Sequence, residues 1–301
     1  MMKLKLKLKK REEMIAKFHE LTKQLAGAVE AHDEEKQEKI KDEMKEIGGI
    51  EAYQTASRLG TKTTRGTHGR FASHNWVTRT LISLGIVGGS GGRGNGKKRA
   101  RLLDVGSLHN FYEDDPKLRR LFKSVAIDLN AQDSTVEEHD MMEFESVKCF
   151  DVVVLSLVMN FEGNARKRGR MLIKARDLSV PGSGVVCVIL PRACFENSRY
   201  MTHELFREMV ETVGMEVMKM NQTNRLSLYV LRNKGEKKIG QGPTPLPFSS
   251  PSPPSSPTEE DGQTPTPRPR RGGERKEERK DRFPKKVVSP GPNRNNFTII
   301  L

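Results

Sequence analysis

The sequence has few cysteines, few aromatic residues and no long apolar run. Its 301 residues include three cysteines, one tryptophan and 6% aromatic residues. The cysteines are widely spaced and form no Cys-x-x-Cys pair, so we expect no zinc site and a reduced intracellular protein. No apolar stretch approaches the roughly 20 residues of a transmembrane helix. The first ten residues alternate lysine with leucine, unlike a signal peptide. We therefore expect neither a membrane anchor nor a bound metal.

The overall composition is polar and basic. Hydrophobic residues make up 35% of the chain, and the mean hydropathy of −0.64 predicts disordered segments beside a folded part. The formal net charge is +14, which favours a polyanionic partner, most simply a nucleic acid. A solvated surface with basic tails is the other interpretation of this charge.

Apolar spacing divides the chain into four parts. Residues 1–84 have helical periodicity, with helices expected within 11–47 and at 50–59 and 71–84, and form a small helical module. Residues 85–99 are a Gly/Arg-rich linker. They contain partial dinucleotide and P-loop patterns, but the strand follows these patterns instead of preceding them. Residues 100–232 are the main domain, and residues 233–301 are a Pro/Ser-rich and then basic tail, predicted to be disordered. The apolar run 297–301 within the tail has no assigned role.

The main domain alternates strands and helices. Strands are predicted at 102–105, 124–128, 151–157, 184–190, 215–220 and 226–232, and helices near 116–122, 164–178 and 199–213. This order indicates a largely parallel α/β sheet. The turn at 221–225 is too short for a parallel crossover, so the last strand must be antiparallel. That layout is typical of class I, Rossmann-like methyltransferases.

Two strand ends predict a nucleoside site. The first strand stops at Gly106, where the backbone can approach a ligand, and the second ends at Asp128, which can accept hydrogen bonds from ribose hydroxyls. Asp104 is positioned to meet an ammonium group. The alternatives are an ordinary strand-to-turn glycine at Gly106 and a helix cap at Asp128.

Two further loops complete the predicted site. Asp140 and Met141 suit an adenine, the carboxylate accepting from the exocyclic amine and a methionine packing on the ring, although a plain polar loop fits equally. Ser156 ends the next apolar run and is predicted to contact the cofactor. Asn160 and Phe161 follow it, where base-methylating enzymes place an amide for the target amine and an aromatic ring for stacking. Strand-end capping and core packing are equally good explanations of this last pair.

Taken together, these residues resemble one family, the fungal 25S ribosomal RNA adenine-N(1) methyltransferases, the second of the base methyltransferases that act on that RNA. Their animal relative is the S-adenosylmethionine sensor SAMTOR. The resemblance extends over roughly 15–232 and rests on these positions: Tyr53, Gln54, Ala56, Ser57, Leu103, Asp104, Gly106, Ile127 to Asn130, Asp140 to Met142, Ser156 to Phe161, Arg168 to Leu172, Asn197 to Tyr200, and Leu226 to Tyr229.

The resemblance implies a function and a site. S-adenosylmethionine would contact Gly106 and Asp128, and the N-terminal helices would cover its pocket and bring Tyr53 and Gln54 near it. The leading hypothesis is methyl transfer to N(1) of an adenine in large-subunit ribosomal RNA by a monomer in the nucleus and nucleolus. The alternative is a non-catalytic S-adenosylmethionine sensor that acts through protein partners.

Overall fold

A computed structural model describes residues 2–56, 73–88, 99–235 and 281–301 of the chain. Most of the predicted linker, the end of the third helix and residues 236–280 of the predicted tail lie outside the described residues. The elements in chain order are α1 (Met2–Glu30), α2 (Glu34–Glu46), α3 (49–56), α4 (Ser73–Ser83), β1 (Ala100–Val105), α5 (Phe111–Asp114), α6 (Pro116–Arg119), β2 (Phe122–Asp128), β3 (Glu137–Glu138), β4 (Val152–Ser156), α7 (Ala165–Leu178), β5 (Val185–Pro191), α8 (Ala193–Glu196), α9 (His203–Thr212), β6 (Met215–Gln222) and β7 (Leu226–Asn233).

The strands form one seven-stranded sheet in the order β3-β2-β1-β4-β5-β7-β6. Strands β1 to β5 pair in parallel, and β7 pairs antiparallel with both β5 and β6. The predicted class I methyltransferase layout, a parallel sheet with an antiparallel last strand, is therefore confirmed. Because β1 lies between β2 and β4, the carboxyl ends of these three strands meet at one edge of the sheet.

Both faces of the sheet are buried, as expected for a parallel sheet. Alternate residues of β4 divide between two cores: Val153 and Leu155 pack with the residues of α7 and α9, whereas Val152 and Val154 pack with those of α4, α5 and α6. This explains why β4 is apolar at every position instead of every second one. A smaller apolar cluster joins α1 to α2 through Leu21, Ala28 and Ile40. None of the described helices is both long and apolar enough to cross a membrane.

The prediction of a disordered tail is wrong for residues 281–301, which we call the strap. The strap packs against the main domain, and Phe297 and Ile299 belong to its larger core. The backbone amide of Ile300 donates to the carbonyl of Ala165 at the start of α7. The predicted tail also starts one residue too early, because Asn233 is the last residue of β7.

The predicted helices near 116–122 and 199–213 are each shorter than expected. Asp115 caps a one-turn helix that begins at Pro116, and Phe122 already belongs to β2. The second helix begins only at His203, because Thr202 caps it by accepting a hydrogen bond from the amide of Leu205.

Candidate active site

The first two strands bring Gly106 and Asp128 side by side. In the register of β1 and β2, Val105 is opposite Ile127, and the amide of Gly106 donates to the carbonyl of Ile127 at 2.8 Å. Gly106 has a φ of 73°, in the left-handed region that favours glycine. A Cβ on it would lie 3.0 Å from Val158 in the loop after β4. Both the backbone angle and this close approach therefore favour glycine at position 106.

The Asp128 carboxylate lies at the end of β2 with one oxygen already engaged. Its Oδ1 accepts hydrogen bonds from the amide of Asn130 at 2.9 Å and from Nε2 of Gln54 at 3.2 Å. Burial raises the pKa of Asp128, and the nearby Glu138 adds to this, while the two hydrogen bonds act in the opposite direction. Oδ2 takes no part in these two contacts, so the geometry suits a carboxylate that accepts from a sugar hydroxyl.

Gln54 brings helix α3 to the tip of β2. Its side chain is 4% exposed and exchanges hydrogen bonds with Asn130: Nε2 donates to the Asn130 carbonyl at 2.8 Å, and Oε1 accepts from Asn130 Nδ2 at 3.0 Å. The resemblance implied that Gln54 lies near the cofactor pocket, and in the structure Gln54 lies beside Asp128, the predicted ribose carboxylate.

Asp104 is a buried carboxyl group within β1. Burial raises its pKa to about 7, although the hydrogen bond from Ser107 opposes the shift. The hydroxyl oxygen of Ser107 lies 2.9 Å from both Asp104 Oδ2 and the carbonyl of His109. One hydroxyl proton cannot serve two acceptors at once. A protonated Asp104 removes the conflict, because it donates to Ser107 while Ser107 donates to His109.

The loop after β4 carries the predicted target-base residues. Ser156 is the last residue of β4, and Leu157 then adopts a φ of 59°, which is unusual for a branched side chain and marks local strain. The amide of Leu157 donates to the carbonyl of Ile189 and holds this conformation. Asn160 Oδ1 is buried, and within the described part of the chain it has no hydrogen-bond partner. An unsatisfied buried acceptor is costly, so Asn160 is suited to receive a donor from a ligand.

Phe161 belongs to an aromatic group that the sequence did not reveal. Its ring lies edge-on to His19 of α1 at 4.1 Å and to Tyr53 of α3 at 5.5 Å, measured between ring centroids. Tyr53 in turn stacks on Phe18 at 4.7 Å. Burial lowers the pKa of His19 to about 4, with a smaller contribution from Lys23, so its ring is neutral at pH 7. Its Nε2 is a further buried atom with no hydrogen-bond partner among the described residues.

Asp140 and Met141 lie in the loop after β3, which is tied to β2 by a bond from the His139 amide to the Asp128 carbonyl. Asp140 Oδ1 accepts from the amide of Met142 at 2.8 Å. Met141 is 4% exposed and packs in the larger core, whereas Met142 is only partly buried. The adenine contacts of Asp140 and Met141 stay predictions. Of the two methionines, Met142 has the more exposed surface on which a ring could pack.

The described residues contain no group of three or more potential metal ligands. Of the three cysteines, Cys149 is exposed, whereas Cys187 and Cys194 are buried. Burial raises the pKa of each buried thiol to about 12, so both are inert at neutral pH.

Comparisons with known proteins concern the chain as a whole. Residues 38–299 match the family model described as "25S rRNA (adenine(2142)-N(1))-methyltransferase, Bmt2". A curated relative from Saccharomyces cerevisiae, the 25S rRNA (adenine(2142)-N(1))-methyltransferase, is 28% identical over 195 residues, which cover 62% of this chain and 52% of that protein. The chain thus spans about half the length of that relative.

A second relative, the 25S rRNA adenine-N(1) methyltransferase of Schizosaccharomyces pombe, is 24% identical over 227 residues, 73% of this chain and 80% of that protein. Among solved structures, a TehB-like SAM-dependent methyltransferase from Corynebacterium glutamicum is 14% identical, with a TM-score of 0.43 over 61% of this chain and 99% of that one. Because the family model matches nearly the whole chain from residue 38 onward, this protein belongs to the Bmt2 family.

Proposed function

We propose that this protein transfers a methyl group from S-adenosylmethionine to N(1) of an adenine in large-subunit ribosomal RNA. The observation that carries the proposal is the convergence of Gly106, Asp128 and Asn160 at one edge of a class I sheet in a member of the Bmt2 family. The net charge of +14 supports a nucleic-acid partner.

The proposed division of labour follows the strand ends. Asp128 accepts hydrogen bonds from the ribose hydroxyls, and the bend at Gly106 leaves room for the methionine arm. Asp104, once ionised, faces the ammonium group of that arm. S-adenosylmethionine would supply a methyl group bound to a positively charged sulfonium sulfur, and the remainder of the cofactor would be released as a neutral thioether.

On the substrate side, Asn160 Oδ1 accepts from the exocyclic amine of the extruded adenine, and Phe161 packs against the base. N(1) of adenine attacks through its own lone pair, so the chain needs no strong general base. The required work is alignment and exclusion of water. A neutral His19 beside Phe161 suits this reaction, because the methylated adenine carries a positive charge that a histidinium would repel.

One assay tests the proposal. The chain is incubated with S-adenosylmethionine labelled on the methyl group and with large-subunit ribosomal RNA that lacks the modification, and the RNA nucleosides are then separated. Label in 1-methyladenosine supports the proposal. Binding of S-adenosylmethionine without transfer would instead support a sensor, and absence of both would reject the cofactor site.

Three further properties are part of the proposal. The protein acts as a monomer without a bound metal, and it works in the nucleus and nucleolus, where ribosomal RNA is made. Fluorescence microscopy of the tagged chain with a nucleolar marker tests the location, and light scattering during gel filtration tests the oligomeric state.

A further inference from the structure

Arg168 joins the loop after β4 to the strap. Its side chain is 4% exposed, and its guanidinium donates to three backbone carbonyls: Nε to Glu162 at 2.8 Å, Nη2 to Gly163 at 3.4 Å and Nη1 to Thr298 at 2.6 Å. Glu162 directly follows Phe161 in the chain. A single planar group therefore connects the segment that carries Asn160 and Phe161 to residues about 130 positions later.

The strap is fixed where it meets Arg168. The ring of Phe297 lies 4.6 Å from the guanidinium carbon, a cation–π contact in which the buried charge has little competition from water. The hydroxyl of Ser198 donates to the carbonyl of Phe297 at 2.5 Å. The contacts thus hold both the ring and the backbone of the strap against Arg168.

Gly169 leaves room for the strap on α7. A Cβ at this position would lie 2.0 Å from the carbonyl oxygen of Ile300, far inside any allowed contact. The glycine stands in the interior of a helix, where it disfavours helix formation relative to alanine. Its presence is explained by the backbone of the strap, which runs across the helix at this point.

We propose that Arg168 is a positioning residue for the target-base side of the site and that the strap is the element through which it acts. By holding the carbonyls of Glu162 and Gly163, Arg168 fixes the loop that presents the unsatisfied Asn160 oxygen and the Phe161 ring. The effect on methyl transfer rests on the proposed function, whereas the effect on the loop does not.

The experiment compares Arg168→Lys with Arg170→Lys in the full chain. Both changes keep the charge on α7, but Arg170 is exposed. A lysine at 168 lacks the planar fork and cannot hold the three carbonyls together. We expect the amides of Phe161 and Asn164, which donate to Val158 O and Glu162 Oε1, to exchange their hydrogens at least about tenfold faster in Arg168→Lys only.

Activity gives the second readout. In Arg168→Lys, kcat for RNA methylation should fall by about tenfold to a hundredfold, because small misplacements of the reacting groups are costly. The affinity for S-adenosylmethionine should stay within about twofold, since the three carbonyls that Arg168 holds belong to Glu162, Gly163 and Thr298 and not to the strand ends at Gly106 and Asp128. Gly169→Ala, which displaces the strap and leaves Arg168 unchanged, should reproduce both effects.

Unchanged exchange at Phe161 and Asn164 in Arg168→Lys would overturn the inference, as would wild-type kcat in that variant. Faster exchange throughout β1 and β2 would reveal general unfolding of Arg168→Lys. In that case Phe297→Leu, which keeps an apolar side chain in the core but removes the ring over Arg168, replaces it, and exchange at Phe161 and Asn164 is again compared with Arg170→Lys. If the wild-type chain itself transfers no methyl group, the proposed function fails, and hydrogen exchange alone decides the role of Arg168.

Discussion

The side-chain amide of Gln54 closes on the carboxylate of Asp128 across 74 positions of sequence, with Nε2 and Oδ1 separated by 3.2 Å. The same Gln54 side chain also binds Asn130 twice: it donates to the backbone carbonyl of Asn130 and accepts from the side-chain Nδ2 of Asn130. Helix α3 is thus fastened to the strand end that is proposed to hold the ribose. The Asp128 carboxylate therefore has two roles: it is the proposed acceptor for the ligand, and it binds the Gln54 side chain of α3.

We expect Gln54→Ala to weaken both the fold and ligand binding. The change removes three hydrogen bonds at a buried position and leaves Asn130 partly unsatisfied, which costs about 1–3 kcal/mol of unfolding free energy. The dissociation constant for S-adenosylmethionine should rise by about tenfold, because the Asp128 carboxylate is no longer oriented. Urea unfolding and isothermal titration calorimetry measure the two effects. Gln24→Ala, at an exposed position of α1, is the control and should change neither.

Asp128→Ala should abolish most of the cofactor affinity. Loss of a charged acceptor for the ribose hydroxyls is worth about 1.5–3 kcal/mol, or about 10- to 150-fold in the dissociation constant. Glu138 is exposed on β3 and is the residue opposite Asp128 in the register of β2 and β3. Glu138→Ala therefore removes one negative charge from the same edge of the sheet and is the control for loss of charge. Equal affinities in the two variants, measured by calorimetry, would refute the assignment of the ribose to Asp128.

Gly106→Ala tests close packing at the first strand end. The left-handed φ alone costs about 1 kcal/mol for alanine, and the new methyl group would also press on Val158 at 3.0 Å. Gly182→Ala is a matched control, because it has a similar φ of 79° and no atom within 4 Å of the new Cβ. We expect Gly106→Ala to lower the melting temperature by more than the control does and to abolish cofactor binding, which the control retains.

The buried carboxyl of Asp104 predicts a pH dependence with a definite sign. Its pKa is raised to about 7 in the folded protein, above its ordinary value of 3.8, so the folded state holds a proton that the unfolded state loses. The resulting stabilisation is complete below pH 4 and is lost as the pH rises through 7, with a slope of up to about 1.4 kcal/mol per pH unit. Urea unfolding of wild type and Asp104→Asn between pH 4 and 8 isolates this contribution as the difference between them.

The same group couples the pH to binding. A ligand ammonium beside Asp104 favours the ionised form, so the affinity for S-adenosylmethionine should rise with pH up to about 7 in the wild type. Asp104→Asn removes that part of the pH dependence, although the titration of the ligand's own amine persists. Identical pH profiles of the dissociation constant in both proteins would show that Asp104 does not meet the ammonium group.

Asn160→Ala separates catalysis from cofactor binding. The buried Oδ1 lacks a partner among the described residues, so its removal should leave stability unchanged or slightly higher. We expect kcat on RNA to fall by about 10²-fold, as for loss of one positioned polar group, with S-adenosylmethionine affinity unchanged. Ser124→Ala removes a comparable polar contact, the hydrogen bond from Ser124 on β2 to Oδ1 of Asn110, which caps α5, and should retain activity. Full activity of Asn160→Ala would remove Asn160 from the mechanism.

The sheet could be predicted because its signals are local. The unbroken apolar run 152–155 predicts a strand buried on both faces, and the short turn at 221–225 dictates an antiparallel hairpin. Gly106 and Asp128 were recognisable because each immediately follows or ends such a strand. Their proximity then follows from parallel pairing, which aligns the carboxyl ends of neighbouring strands.

The strap and the aromatic group could not be predicted, because their partners are distant in sequence. Residues 297–301 have no apolar periodicity and follow a Pro-rich, basic stretch. Their partners on α7, Arg168 and Gly169, look like ordinary helix residues in the sequence, and only the structure shows that the strap contacts them. His19 likewise is one polar residue within the charged helix α1, and only the docking of α1 brings it to Phe161. The positive φ of Leu157 had no sequence signal, since strain of this kind is imposed by the surrounding fold.

The pairing of Arg168 with Thr298 has a consequence for how this chain can vary. A contact between residues about 130 positions apart closes a long loop, and the entropic cost of closure rises only with the logarithm of its length. A chain that ended before Phe297 would leave the buried Arg168 guanidinium with the carbonyls of Glu162 and Gly163 but without the Thr298 carbonyl and the Phe297 ring.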